Sequence, residues 1–179
     1  PILDGRTYMR VGSINTGSTQ NLAAELFMSV AGIDASLIPF KGTPDLVTGI
    51  IRGDVDVGFE IFAGLKSALD ANQIVPLATT SSARAANLPD VQTIEEAGVT
   101  PYSVTSWNAL AAPKGIPEEA VTALNAAVAE ALANPEIVSR MADFGMEPRP
   151  TTPEALAERM SADVKKWAAV IEEAGVPKQ

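Results

Sequence analysis

The sequence has no cysteine and no histidine, and only 5% of its 179 residues are aromatic. Without thiolate or imidazole it cannot build a Cys/His zinc site, a Ser-His-Asp triad, a Cys-His dyad or a histidine general base. A carboxylate-only metal site or a Ser-Lys mechanism would survive that loss, yet neither Ser-x-x-Lys nor an Asp-x-Asp-x-Asp-Gly loop occurs. The expectation is a chain that is not an enzyme, with no catalytic residue, metal or cofactor. Positive charge is scarce as well: 13 basic residues stand against 22 acidic ones, for a net charge of −9, and the basic residues are scattered. Neither nucleic acid nor an anionic membrane surface is therefore an expected partner, since both need a concentrated positive footprint. No apolar run reaches the length of a membrane span, so direct membrane insertion is not expected. No signal peptide is recognisable, and a start at Pro1 reads as a processed or truncated product. Lack of cysteine leaves the redox compartment open.

What is present is a chain that is 46% hydrophobic and long enough for one large domain or two small ones. Over the first hundred residues, short apolar strands alternate with amphipathic helices. "TYMRVG" (Thr7 to Gly12) predicts a buried strand, and the helix after it puts Leu22, Leu26, Phe27 and Val30 on one face. "SLIPF" (Ser36 to Phe40) is a second strand. Thr43 then reads as a helix cap before Pro44, with Leu46, Val47, Ile50 and Ile51 as the apolar stripe and Gly53 as the stop. "DVDVGFE" (Asp54 to Glu60) alternates and enters a turn, Phe62 to Asn72 reads as a helix, and "IVPLATT" (Ile74 to Thr80) as another strand. A short helix is expected from Thr93 and an extended run from Tyr102 to Pro113. From Pro117 the chain reads as three helices, restarted by Asn134-Pro135 and Thr152-Pro153. The alternation predicts an α/β fold with a parallel or mixed sheet, helices on both faces, and ligands outside the carboxyl ends of the strands.

One loop resembles a phosphate-binding motif with a part missing. In "RVGSINTGSTQNLAAELF", Gly12 and Gly17 have Walker A spacing, but Ser18 occupies the lysine position, and the next basic candidate is Lys41. A triphosphate would lose its main counter-charge there. What remains is a turn of Ser13, Asn15, Thr16, Gly17, Ser18 and Thr19 leading into a helix. Such a turn gathers amides and hydroxyls that suit a carboxylate. The plainer alternative is that Ser18 or Thr19 only caps the helix while the glycines only make the turn.

Four stretches, "VGSINTGSTQNLAAELF", "PFKGTPDLVTGIIRGDVDVGFE", "PLATTSSARAANLPDVQTIEEAGV" and "TSWNALAAPKGIP", resemble in order and spacing the solute receptors of tripartite tricarboxylate transporters, the Bug-type periplasmic binding proteins. The resemblance covers essentially this whole chain but only the later part of a family member. It implies a type II periplasmic-binding-protein fold, a venus flytrap of two α/β lobes. Residues 1–104 would form the second lobe without its N-terminal elements. Residues 105–179 would supply the crossover and the C-terminal helices of the first lobe. The family's carboxylate loop falls on Gly12 to Gln20, its second ligand segment on Glu60 to Ala63 with Ile61, and its crossover on Ser106 and Trp107. The implied partners are a small carboxylate and integral membrane transporter subunits, and the implied location is periplasmic after export.

Glu60 is the awkward member of this set, because a carboxylate repels an anionic ligand. The expectation is that it accepts a hydrogen bond from an amine or hydroxyl of the ligand. Phe40, Phe59, Phe62 and Trp107 are either an aromatic wall or core, and core is the commoner use. Lys41 and Lys66 read as solvated charge, and Asp54 and Asp56 as a polar edge or turn without a metal partner. Two other classes remain open: an interaction module formed by the C-terminal helices, and a hydrolase using Ser13 or Ser18, for which no general base is evident.

Overall fold

The computed structural model describes residues 9–175. Along the chain run β1 (Met9–Ile14), α1 (Thr19–Ala31), β2 (Ala35–Phe40), α2 (Thr43–Arg52), β3 (Val57–Gly58), α3 (Phe62–Asp70), α4 (Glu118–Ala133), α5 (Pro135–Asp143) and α6 (Pro153–Glu173). The three strands form a parallel sheet in the order β2-β1-β3, with Val11 opposite both Leu37 and Val57. The chain divides into two compact units, one running to Thr105 and taken up again at Trp167, the other spanning Ser106–Lys166.

In the first unit β1 is central and its residues alternate between two cores. Val11 joins Ala23 and Ala24 of α1 in a cluster with Phe59, Ile94, Tyr102 and Val104. Phe27 packs in the same cluster, its ring 5.5 Å from that of Phe59 and edge-on to Tyr102 at 6.2 Å. The Tyr102 hydroxyl donates to the Ala23 carbonyl at 2.9 Å, and burial pushes its pKa well up. Gly12 turns to the opposite face, where a Cβ would lie 2.6 Å from Leu46 Cδ1 of α2. Right-handed crossovers require this split: the chain moves one way from β1 to β2 and back across β1 to β3.

Several local expectations change. The first strand reaches Ile14, two residues beyond Gly12, while Thr7 and Tyr8 lie outside the described residues. On α2, Gly42 rather than Thr43 is the N-cap, and the inward stripe is Leu46, Gly49 and Ile50, with Ile51 47% exposed. Gly49 allows that rotation, because its Cα faces the Phe40 ring where a Cβ would sit 2.6 Å away. Ile74 to Thr80 forms no ladder and contributes only an isolated parallel bridge, Thr79 to Thr93. Pro76 has no N–H to give, and Val75 and Leu77 face solvent, so the segment lacks the buried face that would hold it in the sheet. The helix expected at Thr93 is one turn closed by a capping box: the Thr93 hydroxyl accepts from the Glu96 N–H and the Glu96 carboxylate from the Thr93 N–H. Arg84 donates to the same carboxylate at 2.8 Å. Asp56 is an anchor rather than an edge residue, accepting from the Arg10 backbone N–H and guanidinium.

In the second unit, the Asn134 side chain caps α5 through the Glu136 N–H and the Thr152 hydroxyl caps the first turn of α6 through the Ala155 N–H. Both proline restarts therefore work as local chemistry dictates. The caps do not produce a closed core: α4 and α5 bury none of their residues, and Leu124, Phe144, Met160 and Val164 are all about half exposed or more.

Candidate functional site: the carboxyl ends of the parallel strands

All three parallel strands deliver their following loops to one end of the sheet. The loop after β1 leads to α1 on one face. Loops after β2 and β3 lead to α2 and α3, which pack on each other. The gap between the β1 and β3 loops is thus the topological switch point, where an open parallel sheet leaves a crevice.

The β1 loop is built around Ser18 and Asn21. Ser18 is the N-cap of α1: its hydroxyl accepts from the Asn21 N–H at 3.1 Å and donates to the Ile14 carbonyl at 2.7 Å. The Asn21 side chain works back in return, its Oδ1 accepting from the Gly17 N–H at 3.0 Å and its Nδ2 donating to the Ser13 hydroxyl at 3.1 Å. Ser13 and Asn21 are both buried. The Ser18 N–H donates to the Asn15 carbonyl, and the Asn15 N–H to the Phe40 carbonyl at the end of β2. Gly17 holds φ +81°, a backbone that L side chains avoid. The loop is thus internally hydrogen-bonded, and the two glycines of the Walker-like spacing each have a structural duty: Gly12 admits Leu46, and Gly17 makes the turn.

The bonds inside the loop decide which donors are left for a ligand. Amides of Gly17 and Ser18, both expected to face an anion, are engaged within the turn. Thr19 and Gln20 are the first two residues of α1, whose N–H groups lie ahead of the first intrahelical bond, from the Leu22 N–H to the Ser18 carbonyl. With the Thr19 hydroxyl they form the α1 amino end, where the helix dipole also favours negative charge. Ser13 lines the loop from within, through Asn21.

Glu60 lies two residues beyond β3 and meets three donors from three elements. Its Oε1 accepts from Gln20 Nε2 of α1 at 2.7 Å and from the Ile61 N–H at 2.8 Å, and its Oε2 accepts from Thr43 Oγ1 of α2 at 2.8 Å. Thr43 is free to do this because Gly42 has taken over the cap position. α2 and α3 close tightly here, since a Cβ on Gly64 would lie 2.7 Å from the Thr43 methyl. The structure therefore brings Ser13, Asn15, Thr16, Gly17, Ser18, Thr19, Glu60 and Ile61 to one end of one unit. Ser106 and Trp107 belong to the other unit. There the Trp107 indole donates to Asp163 at 2.6 Å and the Arg159 guanidinium stands 5.7 Å from its ring centroid. Of the four aromatics, Phe59 is core and Trp107 is 36% exposed.

Sequence reasoning passed over Asn21, and gave neither Gln20 nor Thr43 its bond to Glu60. Asn21 had a readable signal, three residues after a Ser cap, where a polar side chain commonly reaches back. Thr43 reads from sequence as a cap and Gln20 as the last residue of the carboxylate loop. Only the convergence of three loops shows their use. Among the described residues no group of three or more Asp or Glu is placed to hold a metal ion. No helix among them is long and apolar enough to cross a membrane. A shallow cleft lined by Pro135, Glu136, Ser139 and Arg140 shares no residue with the crevice.

Comparison with known proteins agrees with this architecture. The family model described as "Tripartite tricarboxylate transporter family receptor" matches residues 5–176. A UPF0065 protein encoded in the TAR-I ttuE-ttuC' intergenic region of Agrobacterium vitis is 33% identical over 172 residues, 94% of this chain and 50% of the relative. Protein BugT of Bordetella pertussis is 30% identical over 159 residues, 89% of this chain and 49% of its own. The chain thus spans about half the length of the curated relatives it matches. Among solved structures, an R. palustris protein with adipate superposes with a TM-score of 0.84 at 31% identity, covering 97% of this chain and 58% of that one. MatC from Rhodopseudomonas palustris with bound malate gives 0.75 at 28% identity, covering 94% and 59%. The sheet with its switch-point crevice is the α/β architecture of a periplasmic binding protein, and by its match over nearly the whole length the chain belongs to the tripartite tricarboxylate transporter receptor family.

Proposed function

We propose that this chain is the later part of a periplasmic solute receptor that captures a small carboxylate and presents it to the membrane subunits of a tripartite tricarboxylate-type transporter. The observation that carries the reading is the close superposition on a family structure solved with adipate. The α1 amino end supports it chemically. A chain of net charge −9 repels anions at long range, but physiological salt screens that field within about 8 Å. Inside that distance the Thr19 and Gln20 amides, the Thr19 hydroxyl and the α1 dipole are the local field, and they favour a carboxylate. A single carboxylate charge is satisfied by such neutral donors, whereas a triphosphate needs the lysine that Ser18 replaces.

On this reading residues 1–104 are the second lobe and residues 105–179 the crossover and C-terminal helices of the first. Ser106 and Trp107 match the family's crossover. The exposed apolar residues of α4 and α5 support the same assignment, because helices without a buried face are what a lobe lacking its own strands would present, although the end of α6 from Trp167 packs with the first unit, where Val170 is buried. The lobes close on ligand through contacts the closed form makes better than the open one, and the closed form is what the membrane subunits recognise. The function is binding rather than catalysis.

Thermal unfolding against a panel of dicarboxylates, tricarboxylates, amino acids and Mg-ATP tests the proposal. A ligand at about 100 times its Kd stabilises by about 2.7 kcal/mol. The expected result is a shift with one carboxylate class and none with Mg-ATP. If no carboxylate acts, either on this chain or on a version with a first-lobe segment from a relative restored, the proposal fails.

A further inference from the structure

We infer that Glu60 is the positioning residue of this crevice: it clasps α1, α2 and the start of α3 so that the α1 amino end is presented to ligand, and it makes no bond to the ligand itself. The inference deepens the carboxylate-receptor reading and rests on it.

The three donors to Glu60 sit at the amino ends of the three helices that follow the strands: Gln20 in the first turn of α1, Thr43 at the start of α2, and Ile61 at the N-cap of α3. An ionised carboxylate is the one protein side chain that offers two acceptor oxygens and no donor, so it can receive all three at once. Gln at this position would offer one oxygen and turn an NH2 toward a second donor. The two N–H donors lie at 2.7 and 2.8 Å and the Thr43 hydroxyl at 2.8 Å, all at full hydrogen-bonding distance. Half-buried Glu60 is approached closely by α3 at Gly64, where a Cβ would lie 3.4 Å from Glu60 Cγ and 2.7 Å from the Thr43 methyl. Sign of charge argues the same way: an anionic ligand held at the α1 amino end gains from Glu60 only if the carboxylate is turned toward protein donors. Gln20 is the link between the two jobs. Its side chain is held by Glu60 while its backbone N–H belongs to the first turn of α1, ahead of the first intrahelical bond from the Leu22 N–H to the Ser18 carbonyl.

Two readouts test the clasp, one without ligand. In the free protein, nuclear magnetic resonance of the Gln20 side-chain amide should show a shifted, exchange-protected pair of signals that Glu60→Gln abolishes. In calorimetry, succinate and malate differ by one hydroxyl. Glu60→Gln should weaken both by about tenfold, the loss of one bond to a charged group, with their ratio unchanged within twofold. Gln20→Ala combined with Glu60→Gln should be no weaker than the weaker single variant. Should Glu60→Gln fail to fold, Thr43→Val carries the test: it should weaken both acids equally, and Thr43→Ser, which restores the hydroxyl, should recover them. A succinate-to-malate ratio altered fivefold or more would place Glu60 on the ligand and overturn the inference, as would an unchanged affinity or an unmoved Gln20 signal. Wild-type protein that binds no carboxylate would overturn the ligand-positioning role and the receptor reading together. An intact Gln20 signal in that protein would show the fault to lie in the ligand assignment rather than in the clasp.

Discussion

Gly12→Ala tests whether the first glycine of the Walker-like spacing serves packing or ligand. A Cβ at that position would lie 2.6 Å from Leu46 Cδ1, 3.0 Å from Val55 Cγ2 and 3.4 Å from the Phe40 ring. Carbon pairs are comfortable at about 3.5–4.0 Å, so the Leu46 methyl would have to retreat by about 1 Å. It has nowhere to go, because Leu46 is 0% and Val55 2% exposed, and interiors of this density answer by shifting backbone. Overpacking of this kind costs about 1–3 kcal/mol, and in a chain of this size each kcal/mol lowers Tm by about 2–4 °C. The contact is named, so its compensation can be named too: Leu46→Val removes the clashing methyl, and the double variant should recover about 1 kcal/mol relative to the sum of the singles. Urea unfolding of the four proteins is the assay. A Gly12→Ala variant of undiminished stability, or strict additivity in the cycle, would refute the claim that α2 presses on β1 here. Loss of anion binding at unchanged stability would return Gly12 to the ligand.

Two further outcomes follow from the loop and the capping box. Ser18→Ala removes both the cap bond from Asn21 and the bond to the Ile14 carbonyl, and should lower stability by about 1 kcal/mol in chemical denaturation, whereas a cap-neutral result would mean that Asn21 alone closes the turn. Glu96 is held below its ordinary value of 4.5 first by the Thr93 N–H and then by Arg84. A depressed folded pKa means stability that is present above 4.5 and lost as pH falls through the folded value. Melting temperature measured from pH 7 to pH 3 should therefore fall less steeply in Glu96→Gln than in wild type, and equal slopes would count against the Thr93–Glu96 capping box.

Legibility from sequence tracked how local the determining physics was. Both proline-led helix starts at Asn134-Pro135 and Thr152-Pro153 were readable because a cap bonds within three residues. The parallel α/β architecture was readable because alternating strand and helix periods leave few ways to bury both faces. "IVPLATT" failed for the opposite reason: its apolar composition suits a strand, but a strand also needs a paired neighbour and a buried face, and with Pro76 and exposed Val75 and Leu77 only the isolated bridge at Thr79 forms.

By itself the sequence determined the negatives and the local frame: no thiolate or imidazole chemistry, no lysine in the Gly-rich loop, a Ser-capped helix after the first strand, and four motifs that marked the family. Tertiary structure alone decided which donors remain. Gly17 and Ser18 amides are engaged by Asn21 and Asn15, Thr43 is released from capping by Gly42, and Glu60 is met by groups 40, 17 and 1 residues away. Capping is settled by neighbours in the chain, whereas the state of a carboxylate at a switch point is settled by loops that only the folded sheet brings together.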